Sequence, residues 1–304
     1  MTAVELPPTS RAEPDLAPGV EPVARTQWQL FRRRFLRHRL AMVGLMMLVL
    51  LFLACFGARW LAPFPRNEID LLNQGQPPNG EHWLGTDTAG RDYLTEIMYA
   101  GQISLKIGLA VALLSTLLGA AIGSVAGYFG RGIDQGLMRL TDLFLIVPQI
   151  AIVAIAVKRF GSDDLTIILV LAAVFWMTIA RVVRGQVLSL KEREFVDAAR
   201  LAGASHGRII VRHLLPNMIG ALVVNATLAM AAAIVLESTL SYLGYGVQPP
   251  QSSWGNMLST AQEFYGTDKS FLIYFPGLAI LATVLAINFV GDGLRDAVDP
   301  SSRR

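Results

Sequence analysis

Arg193-Glu194-Phe195-Val196-Asp197-Ala198-Ala199-Arg200-Leu201-Ala202-Gly203-Ala204-Ser205, followed downstream by Leu214-Leu215-Pro216-Asn217, is a polar island between two long apolar runs. It carries helix-forming chemistry where a bare loop would have connected the runs. Phe195, Ala198, Ala199 and Ala202 fall at i, i+3, i+4 and i+7, so the spacing predicts a helix with one small, apolar face. Asp197 can pair with Arg193 and with Arg200, each pair contributing only ~0.2–0.5 kcal/mol. Gly203 suits a left-handed helix end, and Ser205 can cap a second helix carrying Ile209, Ile210, Leu214 and Leu215. Pro216 is expected to end that second helix and let the next segment start in a new direction. The region 188–216 therefore reads as two short helices with a break. An amphipathic connector lying on lipid headgroups is one reading of it. The small face offers little area to a membrane but admits a protein backbone closely, which favours docking to a protein.

The runs around the island set the class. The chain has 304 residues, 53% hydrophobic and 16% charged, against roughly 25% charged in a soluble domain. A hydrocarbon core needs about 20 apolar helical residues per crossing. Six runs qualify: 40–58, 103–128, 137–157, 165–183, 218–238 and 271–291. The expected fold class is an all-α integral membrane protein, a six-helix transmembrane bundle over 40–294. Helices are required because each backbone polar group in lipid must be satisfied within its own segment. No ~10-residue alternating strands of a membrane barrel occur.

Residues 1–24 are rich in Pro, Glu and Ala without apolar periodicity, so residues 1–30 read as a disordered cytoplasmic tail. A basic segment, 31–39, precedes the first span. A secretory signal has a similar layout, but its apolar core is only ~7–15 residues and no further spans need follow. Ala54-Cys55 resembles a lipoprotein cleavage site only weakly, with Phe52 and Leu53 as poor neighbours. An uncleaved first span is the better reading. Seven of the 26 basic residues (Arg59, Arg66, Arg91, Lys106, Lys158, Arg159, Lys269) fall on one side of the resulting topology, and the other 19 on the side of the termini. Both termini, including the tail 295–304, are thus expected in the cytoplasm.

Composition excludes several functions. A net charge of +3 and no basic stripe leave nucleic acid binding unsupported. One cysteine, Cys55, excludes an internal disulfide and a cysteine-built zinc site. His206 and His213 read as solvated surface residues. Within the spans, Ser115, Gly119, Gly123 and Gly127 form a ridge of small residues for close helix packing, and Ser104-Gly108-Ala112-Thr116-Ala120 forms a second. Asp142 and Glu237 lie near span ends, where each can anchor at an interface; Asn225 and Asn288 lie deeper, and Pro148 should kink the third span. No row of acids or histidines forms a proton relay, no Arg-rich span forms a voltage sensor, and no His-Glu-x-x-His helix supports an intramembrane enzyme.

Three motifs together resemble a known family. Asp197-Ala198-Ala199, with Gly203 four positions on and Leu215-Pro216 beyond, resembles the "EAA" loop of ATP-binding-cassette importer permeases, with Asp where the family usually has Glu. Leu84-Gly85-Thr86-Asp87 with Gly90-Arg91-Asp92, and Glu237-Ser238-Thr239-Leu240-Ser241-Tyr242-Leu243-Gly244 through Pro249-Pro250 to Trp254-Gly255, resemble the oligopeptide, dipeptide and nickel branch. The resemblance covers about residues 30–300 and is to the second of that branch's two paired permeases. It implies the transmembrane domain of a type I importer in the bacterial inner membrane. Implied partners are a sister permease in a heterodimer, two ATP-binding subunits, an extracytoplasmic solute-binding protein and membrane lipid. Glu194, Phe195, Asp197, Ala198, Ala199, Arg200, Gly203, Ala204 and Pro216 would form the ATPase-coupling helix and its flanks. The chain would bind no cofactor of its own: ATP and Mg belong to the partners, consistent with the absence here of a G-x-x-x-x-G-K-[ST] phosphate loop. The implied cargo is a di- or oligopeptide, with nickel or another small solute as the alternative. A non-transport membrane scaffold is the reading of a different class.

Overall fold

A computed structural model describes residues 27–66 and 68–298. The described residues are helical, with one isolated bridge, Thr86 to Asp92, outside the helices. Helix α1 (Gln27–Arg37) and α2 (Arg39–Phe56) are separated by His38, whose Nδ1 accepts the Ala41 N–H at 3.0 Å. The expected tail therefore gives way to helix at Gln27, and its earlier part lies outside the described residues. A short α3 (Ala58–Leu61) leads into an irregular segment and then α4 (Tyr93–Phe129). Asp92 caps α4 by accepting the Thr95 N–H at 2.8 Å, so this helix starts ten residues before the apolar run at 103. Next come α5 (Arg131–Ile146), α6 (Gln149–Phe160), α7 (Asp164–Leu190) and α8 (Glu194–Leu201). Helix α9 (His206–Arg208) passes through a wide π turn, Ile209–Leu214, into α10 (Leu215–Tyr242). Helices α11 (Trp254–Ala261) and α12 (Phe271–Val298) complete the described chain. The expected tail at 295 is helical through Val298, and the rest lies outside the described residues.

Among the described residues five helices are long and apolar enough to cross a membrane: α2, α4, α7, the continuous α9–α10 and α12. A sixth crossing needs the pair α5 and α6, which bend by 87° at Val147-Pro148. The third span is therefore no single kinked helix over 137–157. Pro148 removes a backbone donor and becomes the N-cap residue of a new helix instead.

Helix α4 is the axis. Gly119 lies so close to α7 that a Cβ would meet Ile179 Cβ at 2.7 Å, and one on Gly127 would meet Val187 Cβ at 2.8 Å. The pairs rise together along both helices, so α4 and α7 run parallel. On another face, a Cβ on Gly108 would meet Ile234 of α10 at 2.5 Å. Without a hydrophobic drive between helices in lipid, such close backbone approach is what holds a bundle together. Helix α12 packs against α2, α10 and α11. His38 and Asp296, 3.4 Å apart, bring the two described ends of the chain to one end of the bundle. That end also carries α8.

Candidate functional site

The two ends of the bundle are built differently, and each holds residues that sequence alone singled out. At the first, α8 ends in two crossed hydrogen bonds: the Ala204 N–H reaches Ala199 O at 3.0 Å and the Gly203 N–H reaches Arg200 O at 2.9 Å. Gly203 has φ +76°, a left-handed value that penalises any side chain, although nothing stands within 4 Å of where its Cβ would be. Glycine is thus required by the backbone alone. Ser205 Oγ then accepts the Arg208 N–H at 3.4 Å.

The small face that periodicity groups on α8 is mostly exposed, and only Ala199 of it turns inward. Val196 and Ala199 are buried, against Ile209, Leu214, Met218 and the C-terminal turns of α4 and α7. Phe195, Ala198 and Ala202 face outward with Glu194, Asp197 and Arg200, while Ala204 is half-buried. Val196 offers more apolar surface than an alanine, so it turns the short helix towards the core. Leu201, 90% exposed, is the most exposed large apolar residue of α8, beyond Phe195 at 37%. Its signal was an apolar side chain at the last helical position, on the face opposite Val196. Arg200 pairs with Asp197 at 3.0 Å, and its guanidinium lies 5.8 Å from the centre of the Tyr128 ring. Arg193 makes no ion pair with Asp197 among the described residues. His206, expected in solvent, is exposed yet sits 2.9 Å from Tyr128 Oη and so fastens this region to α4.

Pro216 does not end a helix. It occupies the first turn of α10, and the backbone passes through it from the π turn without a break. The widened turn is where the missing donor and the ring of Pro216 are accommodated. Close by, α7 clasps α5: Arg184 gives two hydrogen bonds of 2.6 Å to the carboxylate of Asp134, and Arg181 pairs with Asp142. The Arg184–Asp134 clasp escaped the sequence reading because α7 extends beyond the apolar run that marked it. Asp142 meets an arginine side chain rather than an interface alone.

At the opposite end, the segment before α4 is tied by carboxylates. Asp87 accepts the N–H groups of Ala89 (2.8 Å) and Arg91 (2.9 Å) and the Arg91 guanidinium (2.7 Å from Nε). Asp92 contacts His82 at 3.0 Å as well as capping α4. Gly85, at φ +80°, lies against the Phe271 ring. The segment after α10 is anchored by a carboxyl group buried at 0% exposure, Glu237. It accepts the Ser241 hydroxyl at 2.7 Å and those of Ser104 and Ser238 at 3.5 Å. Ser104 Oγ in turn accepts the N–H of Trp254, itself fully buried, at 3.2 Å. Glu237 therefore reaches no interface in this chain; serines from two helices enclose it. Between the two segments lies a cleft of about 560 Å³.

Among the described residues no group of three or more His, Cys, Asp or Glu could hold a metal. One end of the apolar bundle thus carries a short helix with an exposed apolar residue, and the other a polar-lined cleft.

Comparison with known proteins agrees with this architecture. The chain is 42% identical over 293 residues to a putative peptide transport system permease protein of Brucella abortus, covering 96% of each. It is 41% identical over 273 residues to the oligopeptide transport system permease protein OppC of Mycobacterium tuberculosis, 89% of this chain and 94% of that one. A putative peptide permease protein of Brucella suis is 43% identical over 269 residues, 88% and 89% of the two chains. Residues 26–78 match the N-terminal transmembrane domain of oligopeptide transport permease C. Residues 119–304 match the binding-protein-dependent transport system inner membrane component, and with them the chain belongs to that family of importer permeases.

Proposed function

We propose that this permease carries di- or oligopeptides inward as one half of a heterodimeric pathway, driven by two ATP-hydrolysing subunits that dock on α8. The observation that carries the docking assignment is α8 itself. It is fixed to the bundle through Val196 and Ala199 while Leu201 and the small residues Ala198 and Ala202 remain exposed. An exposed leucine beside alanines suits the pocket of a protein partner, since large apolar residues in filled pockets dominate interface energetics. The peptide assignment is supported by the names of the three relatives above.

The end bearing α8 is the cytoplasmic one, because most of the basic residues gather there. Both termini then face the cytoplasm, and the Asp87 and Glu237 segments face outward, under the solute-binding protein of an inner-membrane system. This chain performs no ATP chemistry; ATP and Mg reside on the partner subunits. Closure of the ATPase pair displaces α8, and the π turn and the Arg184–Asp134 clasp carry the displacement into α10, α5 and α7. Such a shift requires that the partner bind one conformation better than the other.

The test is uptake of a labelled tripeptide by vesicles containing the complete transporter, with ATP hydrolysis recorded in parallel. Gly203→Val is expected to keep the chain in the membrane and abolish peptide-stimulated uptake. Undiminished uptake by that variant refutes coupling through α8. No peptide uptake by the unaltered transporter, with nickel or another solute taken up instead, refutes the cargo.

A further inference from the structure

We propose that the outer cleft is a receiving site for the two charged ends of a short peptide, with Glu96 holding the ammonium and Arg66 the carboxylate. This inference rests on the peptide reading above.

Glu96 lines the cleft and is 4% exposed. Its Oε2 stands 3.5 Å from Arg91 Nη1, a long contact, because Asp87 already takes the same guanidinium at 2.6 and 2.7 Å. Its Oε1 has no hydrogen-bond partner. A buried carboxylate oxygen without a donor is costly, and the long Arg91 contact reaches only Oε2, so Oε1 is left open to a cationic donor entering the cleft. Arg66 lines the same cleft with the opposite need. Its guanidinium lies 5.0 Å from the centre of the Tyr99 ring, and no carboxylate is within 4.0 Å of it among the described residues. Cation–ring stacking orients the plane but leaves the N–H donors at its edge available.

One open carboxylate oxygen and one guanidinium edge, both on one cleft, fit a zwitterion better than any singly charged ligand. The remaining wall is chemically mixed: Asp87 and Arg91 hold each other in an ion pair, Ser252 and Asn256 offer hydrogen bonds, and Pro250, Met257 and Phe264 offer apolar contact. A wall of that kind discriminates little among side chains, so the charged ends carry the recognition. The volume, about 560 Å³, is within the ~300–1,000 Å³ typical of small-ligand sites. Lying between the segments that precede α4 and follow α10, the cleft is placed where cargo released from a binding protein first meets this chain.

The complete transporter in lipid nanodiscs, without its binding protein, is titrated calorimetrically with trialanine, N-acetyl-trialanine and trialanine amide. Loss of one charge-assisted contact should weaken binding about tenfold. Acetylation and Glu96→Gln should each do so without adding to one another; amidation and Arg66→Gln should form a second such pair. Glu96→Asp, which retains the carboxylate, should recover part of the affinity if the Gln variant fails to assemble. Asp163→Asn, an exposed acid elsewhere, should change nothing. The proposal is overturned if Glu96→Gln leaves trialanine binding unchanged, or weakens trialanine and its acetylated form alike. It is also overturned if trialanine is imported by the full system yet does not bind the nanodisc complex. Failure of the full system to import any peptide instead removes the cargo assignment, while the titration still decides whether the cleft reads charged ends.

Discussion

The Glu237 cluster and α8, at opposite ends of this bundle, differ in how completely they satisfy themselves. At the Glu237 end, serines from α4 and α10 converge on one buried carboxyl group, and a buried tryptophan bonds to one of them. At the α8 end, an eight-residue helix buries Val196 and Ala199 on the bundle, rests Arg200 on the Tyr128 ring and presents Leu201 to solvent. A region closed on itself is there to keep shape. On the proposed function, an apolar residue left out on a helix with a hydrogen-bonded C-terminal end is there to be met by a partner. Substitutions should therefore divide into those that unfold and those that uncouple.

The largest effect is expected at the closed end. Glu237→Ala leaves three serine hydroxyls without their acceptor and opens a void beside Trp254. Combined loss of buried hydrogen bonds and of packing should cost about 3 kcal/mol. Thermal unfolding of the chain in detergent should show a clear drop in Tm, with Glu237→Gln affected less because it still accepts a hydroxyl. Equal Tm for the Ala variant and the unaltered chain would remove the contrast between the ends. Gly123→Leu comes next. A Cβ there already meets Val183 Cβ at 2.9 Å, so a longer side chain forces α4 and α7 apart at about 1–3 kcal/mol. The check is again Tm, together with the fraction of chain recovered from membranes.

How these regions stood in the sequence follows from what periodicity carries. Long apolar runs have length, so α2, α4, α7, α10 and α12 were legible as crossings, to within the turns that extend beyond lipid at each end. The four-residue spacing of Gly119, Gly123 and Gly127 marks one face of α4 whatever stands opposite, but it does not name α7 as the neighbour. Phase is harder. In α8, Phe195, Val196, Ala198, Ala199 and Leu201 surround a two-turn helix, and only tertiary contact decides that Val196 points in and Leu201 out. The 87° bend was legible as Pro148 but not as an angle, since a proline permits anything from a kink to a new helix. The Glu237 cluster joins Ser104 to residues more than a hundred positions away, and no local pattern records such a meeting.

At the open end, Gly203→Val places a β-branched residue at φ +76°, a strain of roughly 1–2 kcal/mol confined to the end of α8. The bundle should melt nearly as before, because nothing packs against that position. What should fail is peptide-driven ATP hydrolysis, and normal coupling at unchanged Tm would mean that the Gly203 turn plays no part in docking.

Leu201→Ser gives the smallest expected change in the chain itself and so separates the ends most sharply. The side chain is exposed, and its loss removes no contact within the bundle, so Tm should move by no more than the ~0.5 kcal/mol typical of surface changes. If an ATPase pocket holds Leu201, however, the assembled complex loses an apolar anchor of more than about 1 kcal/mol. Co-purification of the ATPase subunits with the variant, set against the unaltered chain at the same concentrations, measures that difference. A fall in association at constant Tm is what a docking face predicts. A fall in both would mean that Leu201 supports α8 itself, and the open end would then be closed after all.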